Sequence, residues 1–323
     1  MLAIANLKGG VGKTTVAANI GAYYAKDWEK RVLLVDLDYQ GSLSSMSFPT
    51  EQWAPSASQS SLATQIVSND IAPYLVPSLA RPVALGENYD GKGSLSVITA
   101  YYDLAQADNR LLVEWLLKCK PRRQRTLRRR LIELFSGRSI PADVRYTLAE
   151  VLHSQAVRDA YDVVIIDCPP RLTTSEMQAF CAATHILIPT ILDRTSADAV
   201  GSLCLQIETL KSAGICPHLT YAGVVGTKWN AQHNVGQRAL RQLRDRLNDI
   251  RAKIDILPHE TFVPMTVQIV NNADEGIAYL VMPQSERQKV RAAIESLAIE
   301  VAARMGLVPP LSDQAPAGRR VHG

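Results

Sequence analysis

The glycine-rich segment NLKGGVGKTT, residues 6–15, constrains the fold of this chain more than any other stretch. The apolar run MLAIANL leads into it and predicts a buried strand, and TTVAANIGAYYAK has helical spacing. A strand, a glycine loop ending in Gly-Lys-Thr and a helix are the context of a phosphate-binding loop, whose backbone N–H groups hold a polyphosphate. The predicted nucleotide-binding residues of this loop are Gly9, Gly10, Val11, Gly12, Lys13, Thr14 and Thr15.

Length and composition narrow the class of protein. The chain has 323 residues, enough for one large α/β domain, and 47% of them are apolar and 20% charged. It shows no run of membrane-spanning length and no signal sequence, so we expect a cytoplasmic protein. The five cysteines form no C-x-x-C pair and no zinc-type cluster, which predicts buried free thiols. A net charge of +4 is too small to indicate a nucleic-acid partner by itself.

Apolar runs alternate with helical stretches along the chain. The predicted strands after the first are KRVLLVDLD (30–38), LSVITAYYD (95–103), YDVVIIDCPP (161–170), HILIPTIL (185–192) and LTYAGVVGTKW (219–229). This alternation predicts an α/β fold with a doubly wound, mainly parallel β-sheet flanked by helices. We expect one domain over residues 1–306, with an insertion over about 42–150 that is helical and basic around 104–135. Residues 307–323 have the composition of a disordered tail.

Three carboxylates follow predicted strands near the phosphate loop. Asp167 ends VVIID, at the carboxyl edge where ligands of open α/β sheets bind. Asp36 and Asp38 alternate along one strand and therefore project to the same side. Lys13 is predicted to neutralise the β- and γ-phosphates and Thr14 to ligate Mg²⁺, with Asp167 holding the metal mostly through water. One of Asp36 and Asp38 could orient the attacking water while the other supports the metal shell.

Together, KGGVGKTT, VLLVDLDYQGSLS and YDVVIIDCPP resemble the ParA/MinD family of deviant Walker-type ATPases. The resemblance is close over residues 1–48 and 160–192 and loose over 219–306. It implies a P-loop NTPase of the deviant Walker A type that binds ATP and Mg²⁺. It also implies a homodimer that forms face to face, with two ATP molecules in its interface.

The resemblance assigns roles to single residues. Lys8 becomes a lysine that reaches the phosphates of the partner subunit, and Lys13 serves its own subunit. Asp38 positions the attacking water, with Asp36 beside it, and the predicted metal residues are Thr14, Asp36 and Asp167. Asn19, on the first helix, also matches a family position. Thr227 and Pro264 match positions near adenine only loosely, and both could equally be ordinary loop residues.

This chain also departs from the family pattern. Tyr39 stands where a proline commonly follows the second aspartate, and Arg171 stands where small residues usually follow Pro169 and Pro170. Arg171 could contact the γ-phosphate or a partner, or it could be a surface residue. The segment between Asp38 and Asp167 is also longer than usual in the family.

Two segments are rich in basic residues. KCKPRRQRTLRRR (118–130), which contains Arg128 and Arg129, has eight Lys or Arg and no acidic residue. It could be a solvated helix face, a DNA contact or a site for an acidic protein, and it lacks aromatic residues for base stacking. In GQRALRQLRDRLNDIRAK (236–253) Arg238, Arg241 and Arg244 recur every three residues. The family's partition ATPases bind DNA through basic residues in this half, so we predict DNA contact here, with a structural surface helix as the alternative.

The resulting hypothesis is a cytoplasmic ParA-type ATPase that binds non-specific DNA as an ATP-bound dimer, which would associate it with the nucleoid. A ParB-like partner protein would stimulate its hydrolysis during plasmid or chromosome partition. Membrane attachment is not expected, because the last predicted helix (289–306) lacks the apolar, aromatic-bearing face that inserts into lipid. The alternatives are a ParA-like ATPase that positions a protein cargo or regulates another machine, an iron–sulfur reductase resembling the nitrogenase iron protein, and an ATP-dependent ligase or kinase.

Overall fold

A computed structural model describes residues 1–56, 59–118, 143–229, 234–250, 254–264, 276–282 and 287–309 of the chain. Within these residues eight strands form one sheet in the order β3-β4-β2-β5-β1-β6-β7-β8. The strands are β1 (Leu2–Ile4), β2 (Arg31–Asp36), β3 (Arg81–Val83), β4 (Ser94–Ile98), β5 (Val163–Asp167), β6 (His185–Ile191), β7 (Thr220–Trp229) and β8 (Val263–Pro264). All neighbouring strands are parallel except β3 and β4. The predicted fold class, a mainly parallel sheet in an α/β protein, is confirmed.

The helices cover the sheet and connect its strands. Those of the described residues are α1 (Lys13–Lys26), α2 (Ser42–Ser47), α3 (Thr50–Trp53), α4 (Leu62–Val67), α5 (Val76–Leu79), α6 (Asp103–Lys118), α7 (Thr147–Leu152), α8 (Gln155–Ala160), α9 (Thr174–Ala182), α10 (Arg194–Ser212), α11 (Asn234–Asp249), α12 (Ala278–Val281) and α13 (Arg287–Met305). None of these helices is long and apolar enough to cross a lipid bilayer.

Register along the central strands decides where the site lies. Asp36 at the end of β2 is directly opposite Asp167 at the end of β5, and Asp167 is opposite Ile4 at the end of β1. The phosphate loop starts shortly after Ile4, so the loop and the two carboxylates meet at one edge of the sheet. The central strands are buried because helices cover them, which explains their nearly continuous apolar sequences.

Helix α1 is packed between the sheet and α13. Gly21 allows the close approach to the sheet, because a Cβ at this position would lie 2.7 Å from a methyl carbon of Leu34. On the other side, the Tyr24 hydroxyl donates a hydrogen bond of 2.7 Å to the carbonyl of Ala298 in α13. The helix that begins at the phosphate loop is therefore held on both sides and gives the loop a rigid base.

Residues 42–150, predicted as an insertion, contribute part of the sheet. Strand β4 pairs in parallel with β2, and β3 adds a short antiparallel edge strand containing Pro82. Proline cannot donate a ladder hydrogen bond, which suits the edge position. The predicted helical segment at 104–135 begins as α6, and residues 119–142 lie outside the described residues, as do residues 310–323 of the predicted tail.

Four cysteines lie in the described part of the chain, and all four are free and buried. An iron–sulfur reductase of the nitrogenase iron protein type would need two cysteines per subunit that bridge a cluster across a dimer, and the candidates in this chain are Cys168 and Cys181. They are 0% and 3% exposed, and burial raises the pKa of both thiols. Buried neutral thiols suit packing rather than cluster ligation.

Candidate nucleotide-binding site

The glycine-rich loop leaves β1 and turns into α1 through two left-handed residues. Gly10 has φ 72° and Gly12 has φ 85°, a conformation that glycine adopts without steric cost. Among the described residues, no atom lies within 4 Å of a Cβ built at Gly10, so none of them covers this side of the loop. Helix α1 begins at Lys13, directly after Gly12. The loop therefore presents backbone groups and a helix N-terminus to an open side, as a bound polyphosphate requires.

Thr227 supports this loop from behind. Its hydroxyl donates a hydrogen bond of 2.7 Å to the carbonyl of Val11, and its side chain is the nearest neighbour of a Cβ built at Gly12. Thr227 is only 3% exposed. The family-based prediction places it near adenine, whereas its contacts in the structure are with the phosphate loop itself.

Pro264 stands at the end of β8, in register with Trp229 at the end of β7. The Trp229 ring packs edge-on against Phe262 and His259, at centroid distances of 5.6 and 5.7 Å. Pro264 is partly exposed beside this aromatic group. It lies at the carboxyl ends of the strands, the same edge of the sheet as the phosphate loop.

Lys13 and Thr14 both face the predicted phosphate position. Lys13 is 7% exposed, and its Nζ donates a hydrogen bond of 3.3 Å to the carbonyl of Lys8 across the loop. The Thr14 hydroxyl donates a hydrogen bond of 2.6 Å to Oδ2 of Asp167. The structure thus brings together Lys13, the Thr14 hydroxyl and the Asp167 carboxylate at the end of β5, which the sequence predicted for one site.

Asp167 has one oxygen without a hydrogen-bond partner among the described residues, Oδ1, although the residue is fully buried. Burial, and then the nearby charge of Asp36, raise the pKa of Asp167 well above its usual value. Carboxylate and hydroxyl oxygens are the protein ligands that Mg²⁺ prefers. A cation beside Thr14 and Asp167 would therefore use the free oxygen and stabilise the charged carboxylate.

The described residues contain no group of three or more His, Cys, Asp or Glu that could together hold a metal ion. Mg²⁺ commonly keeps several waters and binds through one or two carboxylates and the phosphates of its substrate. The small donor set formed by Thr14 and Asp167 fits that mode of binding.

Asp36 is engaged by its own chain. It is fully buried and accepts hydrogen bonds from the backbone N–H of Ser44 at 2.9 Å, from the Ser44 hydroxyl at 2.7 Å and from the N–H of Asp38 at 3.1 Å. Burial raises the pKa of Asp36 to about 7, although these hydrogen bonds act in the opposite direction. Asp36 therefore organises the loop that carries Asp38, a contact that the alternation of the two aspartates alone did not indicate.

Asp38 is partly exposed at the beginning of that loop. One of its oxygens, Oδ1, accepts a hydrogen bond of 3.1 Å from the N–H of Gln40, and its carbonyl accepts one of 2.8 Å from Gly41. Such an Asx turn is a common way for aspartate to fix a tight bend. The carboxylate keeps access to solvent, as a residue that positions a water molecule needs.

Lys8 is held by residues far from it in sequence. Its Nζ donates hydrogen bonds to Asp193 at 2.9 Å, to the Thr195 hydroxyl at 2.7 Å and to the Ser196 hydroxyl at 2.9 Å. Asp193 also caps α10 by accepting a hydrogen bond of 2.7 Å from the N–H of Ser196. Burial alone would raise the pKa of Asp193, but hydrogen bonds from Lys8 and Ser196 lower it to about 2.

The two residues that depart from the family pattern contact each other. The guanidinium of Arg171 donates a hydrogen bond of 2.6 Å to the Tyr39 hydroxyl. The central carbon of the guanidinium lies 5.1 Å from the centroid of the Tyr39 ring. Neither residue indicated the other from the sequence, because they are 132 positions apart.

Asn19, another family match, has a structural position. It is 2% exposed and bonds the carbonyl of Thr15 and the N–H of Tyr279, both at 2.7 Å. The bond to Thr15 lies within α1, and the bond from the N–H of Tyr279 joins α1 to α12. The side chain is thereby occupied on both its donor and its acceptor group.

The predicted DNA-binding arginines lie on one side of α11. Arg238, Arg241 and Arg244 are exposed, whereas Leu240 and Leu243 on the same helix are buried. Steps of three residues rotate a helical position by about 60° each, so three such positions span about 120°. The other two predicted contacts, Arg128 and Arg129, lie outside the described residues.

The chain matches one family model and is similar to several known proteins and solved structures. A family model described as an AAA domain matches residues 1–220. The chain is 28% identical over 245 residues to the chromosome partitioning protein ParA of Myxococcus xanthus, which covers 76% of this chain and 70% of that protein. It is 26% identical to a cobyrinic acid a,c-diamide synthase from Mycobacterium smegmatis solved with a bound ATP analogue and magnesium, with a TM-score of 0.63 and coverage of 96% and 97%. Its fold also resembles pNOB8 ParA bound to nonspecific DNA, with 17% identity, a TM-score of 0.61 and coverage of 97% and 99%.

Proposed function

This chain belongs to the AAA domain family and, within P-loop proteins, to the ParA/MinD type, and from that premise we propose how its ATPase activity is used. The proposed active form is a homodimer that assembles on ATP and binds DNA without sequence preference. A ParB-like partner protein stimulates hydrolysis and ends the DNA-bound state. The proposed biological role is plasmid or chromosome partition.

The chain is an ATPase that uses ATP and Mg²⁺. In the proposed assignment the backbone from Gly9 to Thr15 cradles the phosphates, and Lys13 neutralises part of their charge. Thr14 and Asp167 hold Mg²⁺, which when bound neutralises charge on the β- and γ-phosphate oxygens. The observation that supports this metal position is the buried Oδ1 of Asp167, which has no hydrogen-bond partner among the described residues.

Asp38 is proposed to orient the water that attacks the γ-phosphate. It is the partly exposed carboxylate of the site, whereas Asp36 and Asp167 are fully buried. Phosphoryl transfer depends on positioning and charge more than on covalent help from the protein, so a carboxylate fixed by a tight turn suits the task. Asp36 would act indirectly, because its hydrogen bonds to Ser44 and Asp38 set the shape of the loop.

Lys8 is proposed to contact the phosphates of the partner subunit. In the single chain it is paired with Asp193, and the side chains of the two residues are 31% and 39% exposed. This exposure allows a second subunit to approach the pair. The proposal requires the pair to separate when the dimer forms, so the strength of the Lys8–Asp193 contact would set how readily ATP assembles the dimer.

Helix α11 is proposed as a DNA contact. Its arginines at positions 238, 241 and 244 are exposed, and a neighbouring arginine, Arg246, is paired at 3.1 Å with Asp198 of α10. Contacts between exposed cations and the phosphate backbone give affinity without base recognition. A dimer would present two such helices, which raises affinity by linking two weak contacts.

The test is DNA binding with ATP, with ADP and without nucleotide, over a series of salt concentrations. The proposal expects binding only with ATP, with an affinity that falls steeply as salt rises. ATP-dependent dimerisation without any DNA binding would contradict partition and favour the alternative of a ParA-like ATPase that positions a protein cargo. DNA binding that is equal in all three nucleotide conditions would contradict the proposed coupling.

A further inference from the structure

Tyr39 and Arg171 form a bridge between the two loops that surround the nucleotide position. Tyr39 lies in the loop after β2, and Arg171 lies in the loop after β5. These two strands are neighbours in the sheet, so their loops leave the same edge side by side. The bridge combines a hydrogen bond of 2.6 Å with the placement of a cation 5.1 Å from the ring centroid.

The residues on both sides of Asp38 are bonded to the segment after β5. On one side, the N–H of Leu37 donates a hydrogen bond of 3.0 Å to the carbonyl of Asp167. On the other side, Tyr39 is bound by Arg171. Both bonds are thus made by the same short segment, which begins at the end of β5.

That segment also lies beside the phosphate loop. A Cβ placed on Gly9 would lie 3.9 Å from Cβ of Pro170, the residue immediately before Arg171. Pro170 has a restricted backbone and therefore moves little relative to its neighbours. The segment after β5 therefore lies next to the phosphate loop at Pro170 and is bonded through Arg171 to the residue that follows Asp38.

We propose that Arg171 and Tyr39 are positioning residues that hold the Asp38 loop against the segment after β5 and so place the Asp38 carboxylate. The proposal rests on the role proposed above for Asp38 in ATP hydrolysis. Arg171 acts through Tyr39 and does not contact the nucleotide. The two departures from the family pattern then act together, because neither Tyr39 nor Arg171 can form the contact without the other.

The first test measures hydrogen exchange at the backbone amides of residues 37–41 in the nucleotide-free protein. Arg171→Ala, Tyr39→Ala and the double variant should each accelerate exchange by about fivefold, as expected for the loss of one cation–aromatic hydrogen-bonded contact. The double variant should exchange no faster than either single variant, because both remove the same contact. Exchange that is unchanged, or that increases additively, would overturn the proposal.

The second test measures steady-state ATP hydrolysis of the same variants. We expect kcat to fall by about three- to tenfold with KM for ATP within about twofold, equally in both single variants. Tyr39→Phe, which keeps the ring and loses the hydroxyl, should lie between the wild type and Tyr39→Ala. A higher KM in Arg171→Ala alone would show a direct contact with the nucleotide and overturn the proposal.

Arg158→Ala removes an exposed arginine of α8 and serves as the matched control, with exchange and kcat unchanged. Both tests omit DNA and any partner protein, so a failure of the partition role leaves their outcome unaffected. If Asp38→Ala hydrolyses ATP at the normal rate, the role of Asp38 fails, and the exchange experiment still decides whether the bridge holds the loop.

Discussion

The nucleotide face, which is the edge of the sheet that carries the phosphate loop, Asp36 and Asp167, and helix α11 use charged residues in opposite ways. At the nucleotide face, Asp36 and Asp167 are fully buried and their positions are set by hydrogen bonds of 2.6–3.1 Å. On α11, Arg241 and Arg244 are exposed side chains on the solvent side of an amphipathic helix. The nucleotide face holds a few carboxylates at defined positions, and α11 presents several positive charges spread over its exposed surface.

This difference follows from the chemistry proposed for each region. Transfer of a phosphoryl group needs groups that are placed before the reaction, in a site that excludes bulk water. Contact with a DNA backbone needs only cations near phosphates that repeat along the duplex. Substitutions at the nucleotide face should therefore abolish ATP binding or ATP hydrolysis, whereas each substitution on α11 should weaken DNA binding only partly.

The largest effect is expected from Lys13→Ala. Removal of the buried cation should reduce ATP affinity by about 100-fold or more, since a charged hydrogen bond to phosphate is lost in a site of low exposure. Titration with a fluorescent ATP analogue measures the affinity. Lys92→Ala removes an exposed lysine and should bind normally. Unchanged nucleotide affinity in Lys13→Ala would refute the cradle assignment.

Asp38→Ala should separate binding from hydrolysis. Loss of a group that orients the attacking water should slow kcat by about 10²- to 10⁴-fold, while ATP binding and ATP-dependent dimerisation persist. Phosphate release and sedimentation of the same sample measure the two properties. Asp90→Ala, at an exposed position, is the control. Normal turnover in Asp38→Ala would contradict the assigned role.

Asp193→Asn should make the dimer easier to form. Asparagine still caps a helix well, so α10 should keep its start, but the pairing with Lys8 loses its charge. We expect ATP-dependent dimerisation at about two- to tenfold lower protein concentration, because releasing Lys8 costs less free energy. Analytical ultracentrifugation measures the shift. A dimer that is equally stable or weaker would indicate that Asp193 does not restrain Lys8.

The smallest effects are expected on α11. Arg241→Ala and Arg244→Ala should each weaken DNA binding by a few-fold and lower the salt dependence by about one unit of slope, with ATP hydrolysis unchanged. Arg246→Ala is the comparison on the same helix, and it should have less effect because its charge is paired with Asp198. An equal loss in all three variants would argue for a general charge effect rather than a contact surface.

The sequence indicated that the phosphate loop, Asp36 and Asp167 meet at one edge of the sheet, because these motifs are tied to backbone geometry. Asp36 and Asp167 end neighbouring parallel strands, so their meeting follows from the strand pairing. The same reasoning could not find the partner of Lys8, because Asp193 is 185 residues away, at the N-cap of α10. One signal was present: Asp193 followed by Thr195 and Ser196 has the composition of a helix N-cap.

Other features depended on tertiary contacts that no local pattern contains. The pairing of Tyr39 with Arg171 joins two loops whose closeness is set by the order of strands in the sheet. The strand predicted at 95–103 is shorter in the structure, where β4 ends at Ile98 and α6 begins at Asp103, and its place beside β2 followed only from the structure. For α11, the structure shows the three predicted arginines exposed on one side of the helix. That they bind DNA is a proposal.

The central claim is that Lys8 serves the nucleotide of the other subunit. It is tested most directly by ATP hydrolysis in a mixture of Lys8→Ala and Asp38→Ala proteins, each of which is expected to hydrolyse ATP slowly or not at all by itself. A mixed dimer contains one site with an intact Asp38 that receives Lys8 from its partner, so the account predicts that mixing restores hydrolysis. A mixture that stays as inactive as its components, although sedimentation shows mixed dimers, would contradict a lysine acting between subunits.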